Sequence, residues 1–553
     1  GLFKDIQTGT GSSIPASLFV HTLSSAGNPQ VLYLSAASTG TNQELWQSNP
    51  AGTDVLLLKE IRSGSSASTP ANFYAFGDTV LFSANDGTNG VEPWKTDGTA
   101  GGTVILANIN TTSSSSSPTR FTQVGTDVYF RATGPSIGLE MYKTDGTTVS
   151  LVKDINVGSS GSDSGTTAAD QPQMMVLGSQ LIFAATNGAI QGTGAGVELW
   201  SSDGTSDGTV LVKDTNAQGD SDPRRFVRMG ETMYFTATVA GNGSELYKSD
   251  GTALGTSDIS NTTLRLGTSS SDPQWLTVFN DKLYFSADTG TTGGVAPNNN
   301  TGRELWVYNP AVVDDGGTAY DERFSQVADI NAGTGNSSPT QLTVFNSKLY
   351  FAASTTTDGY ELWVYDGVSA PVRATSSELR VGTSDPGISN LFVFGDYLYF
   401  TATDGTNGTE LYRFEKSASD FERFDLSDTG GGSLITASSA PSRFCVVKNV
   451  TGGTYAGMDV MFFVASDGVV GEELWIIDPT TNLPKMVKNI NTTTEVAVTT
   501  QRSSTPRNMI AFKGKLYFDA NISATSTENR ELYTSDGTLA GTGLYLGVEI
   551  NTT

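Results

Sequence analysis

The sequence predicts an all-β chain of the β-propeller kind, made of ten four-stranded antiparallel blades. Three observations predict it. A Glu-apolar-aromatic triplet recurs ten times, with its glutamates at Glu44, Glu92, Glu140, Glu198, Glu245, Glu304, Glu361, Glu410, Glu473 and Glu531, spaced by 47 to 63 residues. A proline recurs once per interval, at Pro15, Pro70, Pro118, Pro172, Pro223, Pro273, Pro339, Pro386, Pro441 and Pro506. Long segments with a helical apolar period are absent, and short apolar runs bounded by Gly, Asp and Ser replace them. A four-stranded unit of about 50 residues has the size of a propeller blade.

Each unit reads as four strands. Strand A follows the proline, as in Leu342-Thr343-Val344-Phe345; a residue without an N–H fits at a strand's first position. Strand B carries Tyr-Phe pairs, as in Leu283-Tyr284-Phe285. Turns such as Gly77-Asp78 and Gly395-Asp396 lie between A and B, where a tight hairpin favours them. Strand C carries the Glu-apolar-aromatic triplet. An Asp-Gly turn, as in Ser202-Asp203-Gly204-Thr205, leads to strand D, clearest in Leu151-Val152-Lys153-Asp154-Ile155.

One sheet cannot bury both of its faces, so neighbouring units must stack. Residues 1–553 are therefore expected to form one repeat domain in a single ring, with two five-bladed rings as the alternative. Residues 1–6 (Gly-Leu-Phe-Lys-Asp-Ile) read as an extra D-type strand with no A, B or C before it. It could latch the last blade, join a neighbouring molecule's edge, or be the stub of a removed blade. Residues 544–550 are expected to be the D strand of the last repeat.

Composition narrows the function classes. The formal net charge is −25, so a phosphate backbone or an anionic lipid surface is repelled, and neither nucleic-acid binding nor membrane insertion is expected. One cysteine, Cys445, precludes an intrachain disulfide, and one histidine, His21, makes imidazole-based triads and zinc sites improbable. Ten Asn-x-Ser/Thr sequons, among them Asn110, Asn336 and Asn491, are near chance in a chain this rich in Asn, Ser and Thr.

The repeated residues read as structural. Glutamate and aromatic lie two apart on one face of strand C. The aromatic is expected to pack between blades. The glutamate is expected to pair across the C–D hairpin with a lysine, Glu198 with Lys213 and Glu44 with Lys59. Asp86, Asp404 and Asp467, each six residues before a strand-C glutamate, are the metal candidates. Calcium is an optional ligand there, and no cofactor is required.

The repeats resemble the family of ELWxxDGT repeat proteins. The likeness is closest at Glu-Leu-Trp-Ser-Ser-Asp-Gly-Thr from Glu198 and good from Glu531; copies from Glu304, Glu361 and Glu410 lose Ser-Asp-Gly-Thr. It implies a bacterial secreted or cell-surface protein, and brings no defined activity or catalytic residue.

The expected function is thus non-enzymatic: structural assembly, adhesion, or binding of protein or glycan partners outside the cell, with self-assembly through the N-terminal strand as one form. The alternative is a polysaccharide-active lyase or glycosidase on a propeller. Its only carboxylate cluster would be Asp314, Asp315, Asp321 and Glu322. A calcium-stabilised adhesin is a variant of the first reading. The face bearing the B–C and D–A loops is the expected partner surface, because length varies there most, in residues 186–197 and 287–303. Residues 309–322 and 448–459 are long loops on the opposite side.

Overall fold

Short β-branched and aromatic runs, each punctuated by turn residues, fold into ten separate four-stranded antiparallel sheets. The computed structural model describes the chain except residues 1, 5, 8–10, 25–26, 113, 163–173, 189–195, 218, 240, 242, 261–263, 265–269, 290–300, 314–320, 417–419, 427–437, 493–502, 524–528 and 544–553. The described elements are all strands, and none of them is a helix that could cross a membrane. In blade 1 strands A to D are Ala16–Thr22, Gln30–Ala37, Gln43–Ser48 and Val55–Lys59, and every later blade repeats the order. Asn280-Asp281 and Asn346-Ser347 have positive φ at both residues, the turn whose twist suits a two-residue hairpin.

The core lies between blades. Tyr234 and Leu246 of blade 5 pack on Leu283, Phe285 and Trp306 of blade 6. That cluster spans the midpoint of the chain, where two five-bladed rings would have broken. Tyr517 and Leu532 of blade 10 pack on Leu32, Leu34 and Trp46 of blade 1, which closes a single ring. The strand-C aromatics sit in these interfaces as expected; Trp46, Trp94, Trp200, Trp306 and Trp475 are all buried. Burying such a ring stabilises by about 2–3 kcal/mol; nine of the ten strand-C aromatics are buried, and Trp363 is half-buried.

Strand C of the last blade (Arg530–Ser535) has the N-terminal strand Leu2–Lys4 beside it, antiparallel, in the D position. Of the three fates open to residues 1–6, the latch is the one adopted. The D strand expected over residues 544–550 lies outside the described residues.

Successive blades are also tied by their turns. The C–D turn at Gly204 lies over Tyr129 of the preceding blade. Gly204 has φ +89°, and a Cβ there would stand 2.2 Å from the Tyr129 hydroxyl. Gly178, at φ +59°, has open space instead. Gly178→Ala is expected to cost about 1 kcal/mol for the backbone alone, and Gly204→Ala at least about 2 kcal/mol. Denaturant midpoints of the two variants check this; equal losses would contradict the turn-on-blade contact.

Candidate functional site: the inner rim of the ring

Strand C directs its glutamate into the loop that joins one blade to the next. Glu304 is fully buried. It accepts the Ile330 N–H at 3.0 Å, the Ser337 N–H at 3.0 Å and the Ser337 hydroxyl at 2.5 Å. Glu473 does the same with Ile490 and Ser504 at 2.9 and 3.1 Å, and with the Ser504 hydroxyl at 2.6 Å. At the ring closure Glu531 accepts the Ser13 N–H at 2.9 Å and its hydroxyl at 2.5 Å. The glutamate therefore pins the D–A loop and the serine two residues before the proline.

The expected Glu–Lys pairs do not form. Lys213 stands opposite Leu199, not Glu198, across a register shift between strands C and D. Its Nζ donates to the Thr256 carbonyl of the next blade at 2.8 Å. Lys59 stands opposite Leu45 and donates to the Thr103 carbonyl at 2.6 Å. The bulge turns the lysine toward the neighbouring turn, and the backbone donors of the loop satisfy the carboxylate.

Burial pushes Glu140, Glu245, Glu304, Glu361 and Glu473 up to about 7, outweighing donors that by themselves lower a carboxylate's pKa. In the unfolded chain a glutamate titrates near about 4.3. The folded pKa is the higher one, so this contribution to stability is full below the unfolded value and is lost as pH rises through about 7. Burial lowers the pKa of His21, which works the other way, but it is one group. The urea midpoint is expected to fall between pH 5.5 and 8.5; a rise would contradict the buried-glutamate account.

Asp86, Asp404 and Asp467 stand in three different blades. Each closes a local turn: Asp86 accepts the Thr88 and Asn89 N–H groups at 2.8 and 2.7 Å. Asp404 accepts Thr406 and Asn407, both at 2.8 Å, and pairs with Arg423 at 3.0 Å. Asp467 accepts Val469 and Val470 at 2.8 and 2.7 Å. Among the described residues no cluster of three metal-ligating side chains forms. Of the four carboxylates considered for a polysaccharide-active site, Asp314 and Asp315 lie outside the described residues. Asp321 is buried and held by the Arg323 guanidinium at 2.8 Å.

The feature that sequence reasoning missed lies on the innermost strands. Strands A of neighbouring blades approach one another, so they form the wall of the central channel. In nine described blades the second residue of strand A is left-handed, with φ between 51° and 58°: Ser17, Asn72, Arg120, Arg225, Trp275, Gln341, Asn390, Arg443 and Asn508. A left-handed non-glycine residue costs of the order of 1 kcal/mol. The bulge it makes breaks the A–B register in each of these blades, for example between Ala71 and Tyr74. The backbone is thus the same in these nine blades while the side chains vary, and Asn72, Arg120, Trp275, Asn390, Arg443 and Asn508 are exposed. Some of these side chains reach the next blade: Asn72 Nδ2 donates to the Pro118 carbonyl at 3.2 Å and Arg225 to that of Pro273 at 3.0 Å, while Asn390 Nδ2 donates to the Thr401 hydroxyl of its own blade at 3.2 Å. Eight of the nine stand two residues after a repeat proline, and that spacing was the available signal. The exception is Asn390, because Pro386 sits two places early and Ile388 takes the usual proline position.

Because strand A begins at the D–A loop, this rim forms the channel mouth on the D–A side. His21, at the far end of strand A in blade 1, is buried and neither ring nitrogen has a hydrogen-bond partner among the described residues. Cys445, half-buried in an inner strand, has its thiol pushed up to about 11 by burial and is poorly nucleophilic.

No protein-family model and no curated protein matches the chain. Solved structures do. A prolyl endopeptidase matches over 84% of this chain and 55% of its own, with 11% identity and a TM-score of 0.33. Puromycin hydrolase matches over 73% and 59%, with 12% identity and a TM-score of 0.30. The β-propeller domain of the Trilobed protease from Pyrococcus furiosus matches over 74% and 98%, with 8% identity and a TM-score of 0.27. The chain thus spans little more than half the length of the first two. These matches correct one expectation. A non-enzymatic role in assembly, adhesion or partner binding was inferred from the repeat architecture, and so was the polysaccharide-active alternative. The structures that the chain resembles are instead peptidases or parts of them, so the architecture does not imply a non-enzyme. At these scores they assign no activity to this chain either.

Proposed function

We propose that the ring is the substrate-recognising module of a hydrolase that acts on peptides. The class of reaction is the one named for the propeller-bearing enzymes above. The observation that carries the reading belongs to this chain: the channel mouth has one backbone conformation in nine blades, while its mostly exposed side chains vary among Asn, Arg, Ser, Gln and Trp. Positions used up by packing, such as the strand-C glutamate, keep one residue type; the rim does not, which is how a recognition surface on a rigid scaffold behaves. The polar rim residues Ser17, Asn72, Gln341, Asn390 and Asn508 suit the amide groups of an extended peptide.

The reading gives the ring recognition and leaves the bond-breaking step to groups outside the described residues. His21 is the chain's single imidazole and bonds to no serine or carboxylate, so a serine–histidine relay is not assembled among the described residues. The test is incubation of the natural full-length protein with a mixed peptide library, followed by mass spectrometry. Cleaved peptides are expected; a library that survives intact overturns the hydrolase reading.

A further inference from the structure

The inner strands carry a second regularity, three residues beyond the left-handed position and so deeper in the channel. The last A–B pair, such as Val124 with Asp127, flanks the turn and is hydrogen-bonded; the pair before it, Gln123 with Val128, is not. The strand-A residue of that earlier pair turns its N–H and C=O away from strand B and into the channel. Blade 3 shows this directly, for the Gln123 N–H donates to the Tyr74 hydroxyl of the preceding blade at 2.8 Å. Tyr74 is the only tyrosine in the ten inner strands, so among the described residues the other nine N–H groups have no such cap. The side chain at this level is valine in six blades: Val20, Val176, Val278, Val344, Val393 and Val446. Ala75 and Ala511 take it in two more, and Gln123 and Arg228 complete the girdle. None of the ten is buried, and Val344 and Val393, in adjoining blades, are 42% and 41% exposed. An open strand edge is ordinarily blunted by charged side chains or proline; here Arg228 alone is charged. The outermost strands have a free edge too, but their row opposite the residue after the strand-C aromatic mixes Leu56 and Val210 with Ser150, Ser257, Glu422 and Lys485. Aliphatic side chains and open backbone coincide consistently inside the ring and not outside it.

We infer that this girdle binds extended peptide segments rich in aliphatic side chains, so that, on the hydrolase reading above, unfolded apolar stretches are the substrate class. Complementarity of partial charge decides the occupant. Each girdle residue presents a donor and an acceptor together, and an extended peptide returns an acceptor and a donor at the matching spacing, adding a strand to the edge. Its side chains then lie along the valines. A hydrocarbon chain would meet the valines but leave the N–H and C=O groups unanswered. A carboxylate-bearing segment would lose hydration beside valine, with one arginine at this level to receive it. Sheets stacked about 10 Å apart make ten inner strands enclose a channel roughly 25–30 Å across, room for an extended chain on its wall.

Binding to the full chain is read by fluorescence anisotropy with labelled peptides of equal length: one alternating Thr and Val, one alternating Thr and Asp, and the Thr/Val peptide N-methylated at every amide. The Thr/Val peptide is expected to bind at least tenfold more tightly than either of the others. Equal binding of the Thr/Asp peptide overturns the aliphatic selectivity, and equal binding of the N-methylated one overturns the pairing with the strand edge. Displacement of the Thr/Val peptide by oleate at a lower concentration than by unlabelled peptide overturns the inference in favour of a lipid chain. A Thr/Val peptide bearing a diazirine, irradiated and mapped by mass spectrometry, places the site on the unaltered protein. Label is expected on inner strands such as Thr340–Phe345 and Ser389–Phe394; label on outer strands such as Val55–Lys59 instead overturns the girdle. Replacing all six valines by threonine keeps their branched shape and should weaken binding at least tenfold, with the melting temperature as the check of folding; a folded variant that binds as before also overturns it. Binding needs no turnover, so the two readings fail separately. Peptides bound on the inner strands but never cut refute the hydrolase reading alone; peptides cut regardless of side chain, with no label on the inner strands, refute the girdle alone.

Discussion

Replacing Glu304 by alanine is expected to destabilise the protein by about 4 kcal/mol. The side chain is fully buried, and three donors converge on it within 3.0 Å: two backbone N–H groups and the Ser337 hydroxyl. Removing the acceptor leaves those donors without a partner in a place where water does not replace it, at about 1–3 kcal/mol each. The loss is local to the loop that carries the chain from blade 6 to blade 7, so the seam between these blades should open first. Glu304→Gln keeps the shape and one acceptor, and about half of the loss is expected. Hydrogen exchange reports both effects: protection should drop most strongly around residues 330–342. A uniform drop round the ring would contradict the pinning role, because each blade has its own glutamate.

Breaking the Asp519–Arg530 pair is expected to cost about 3–5 kcal/mol. Both side chains are almost fully buried in the last blade, at 1% and 4% exposure. The guanidinium holds the Asp519 carboxylate and the Thr505 carbonyl, and Asp519 also accepts Asn508 Nδ2 at 2.7 Å. Asn508 in turn reaches the Pro15 carbonyl of blade 1 at 3.4 Å. The equivalent strand-B position is Ser35 in blade 1, Thr236 in blade 5 and Val464 in blade 9, so the ion pair is peculiar to the closing blade. There it reinforces a latch whose outer strand is only three residues long. Removing one partner strands a buried charge, which is why Asp519→Ala should cost more than replacing both by apolar residues of similar size. Asp519→Ala, Arg530→Met and the double variant, compared by urea midpoint, check this. Additive losses would show that the two groups do not act as a pair.

Much of the fold was legible because its signals are local. The Glu-Leu-Trp triplet, the Asp-Gly turns and the proline each mark a place within a blade, and a period of about 50 residues then counts blades. The partner of the strand-C glutamate was not legible. Period-two reasoning assigns neighbours within a sheet, but Glu304 bonds to Ser337, 33 residues on and in a loop. Lys213 was misassigned because a bulge moves it one place along strand C. The rim was hidden for another reason. Nothing in Trp275 or Arg443 favours a left-handed backbone; the junction after the proline imposes it, and it can be read only from φ. The spare N-terminal strand was recognisable by its resemblance to strand D, but the slot it fills depends on the ring closing. Function was the least legible, since composition and repeat describe the body of the molecule and the inner rim is a minority of its residues.

The most direct test of the account is single-particle electron microscopy of the intact chain, viewed down the channel axis. The account predicts a particle of one chain's mass with ten radial blades, one central channel, and the strand Leu2–Lys4 outermost on the blade that carries Asp519. Two five-bladed lobes, or a gap between the first and last blades, would contradict it, and with it the rim on which the proposed recognition of peptides rests.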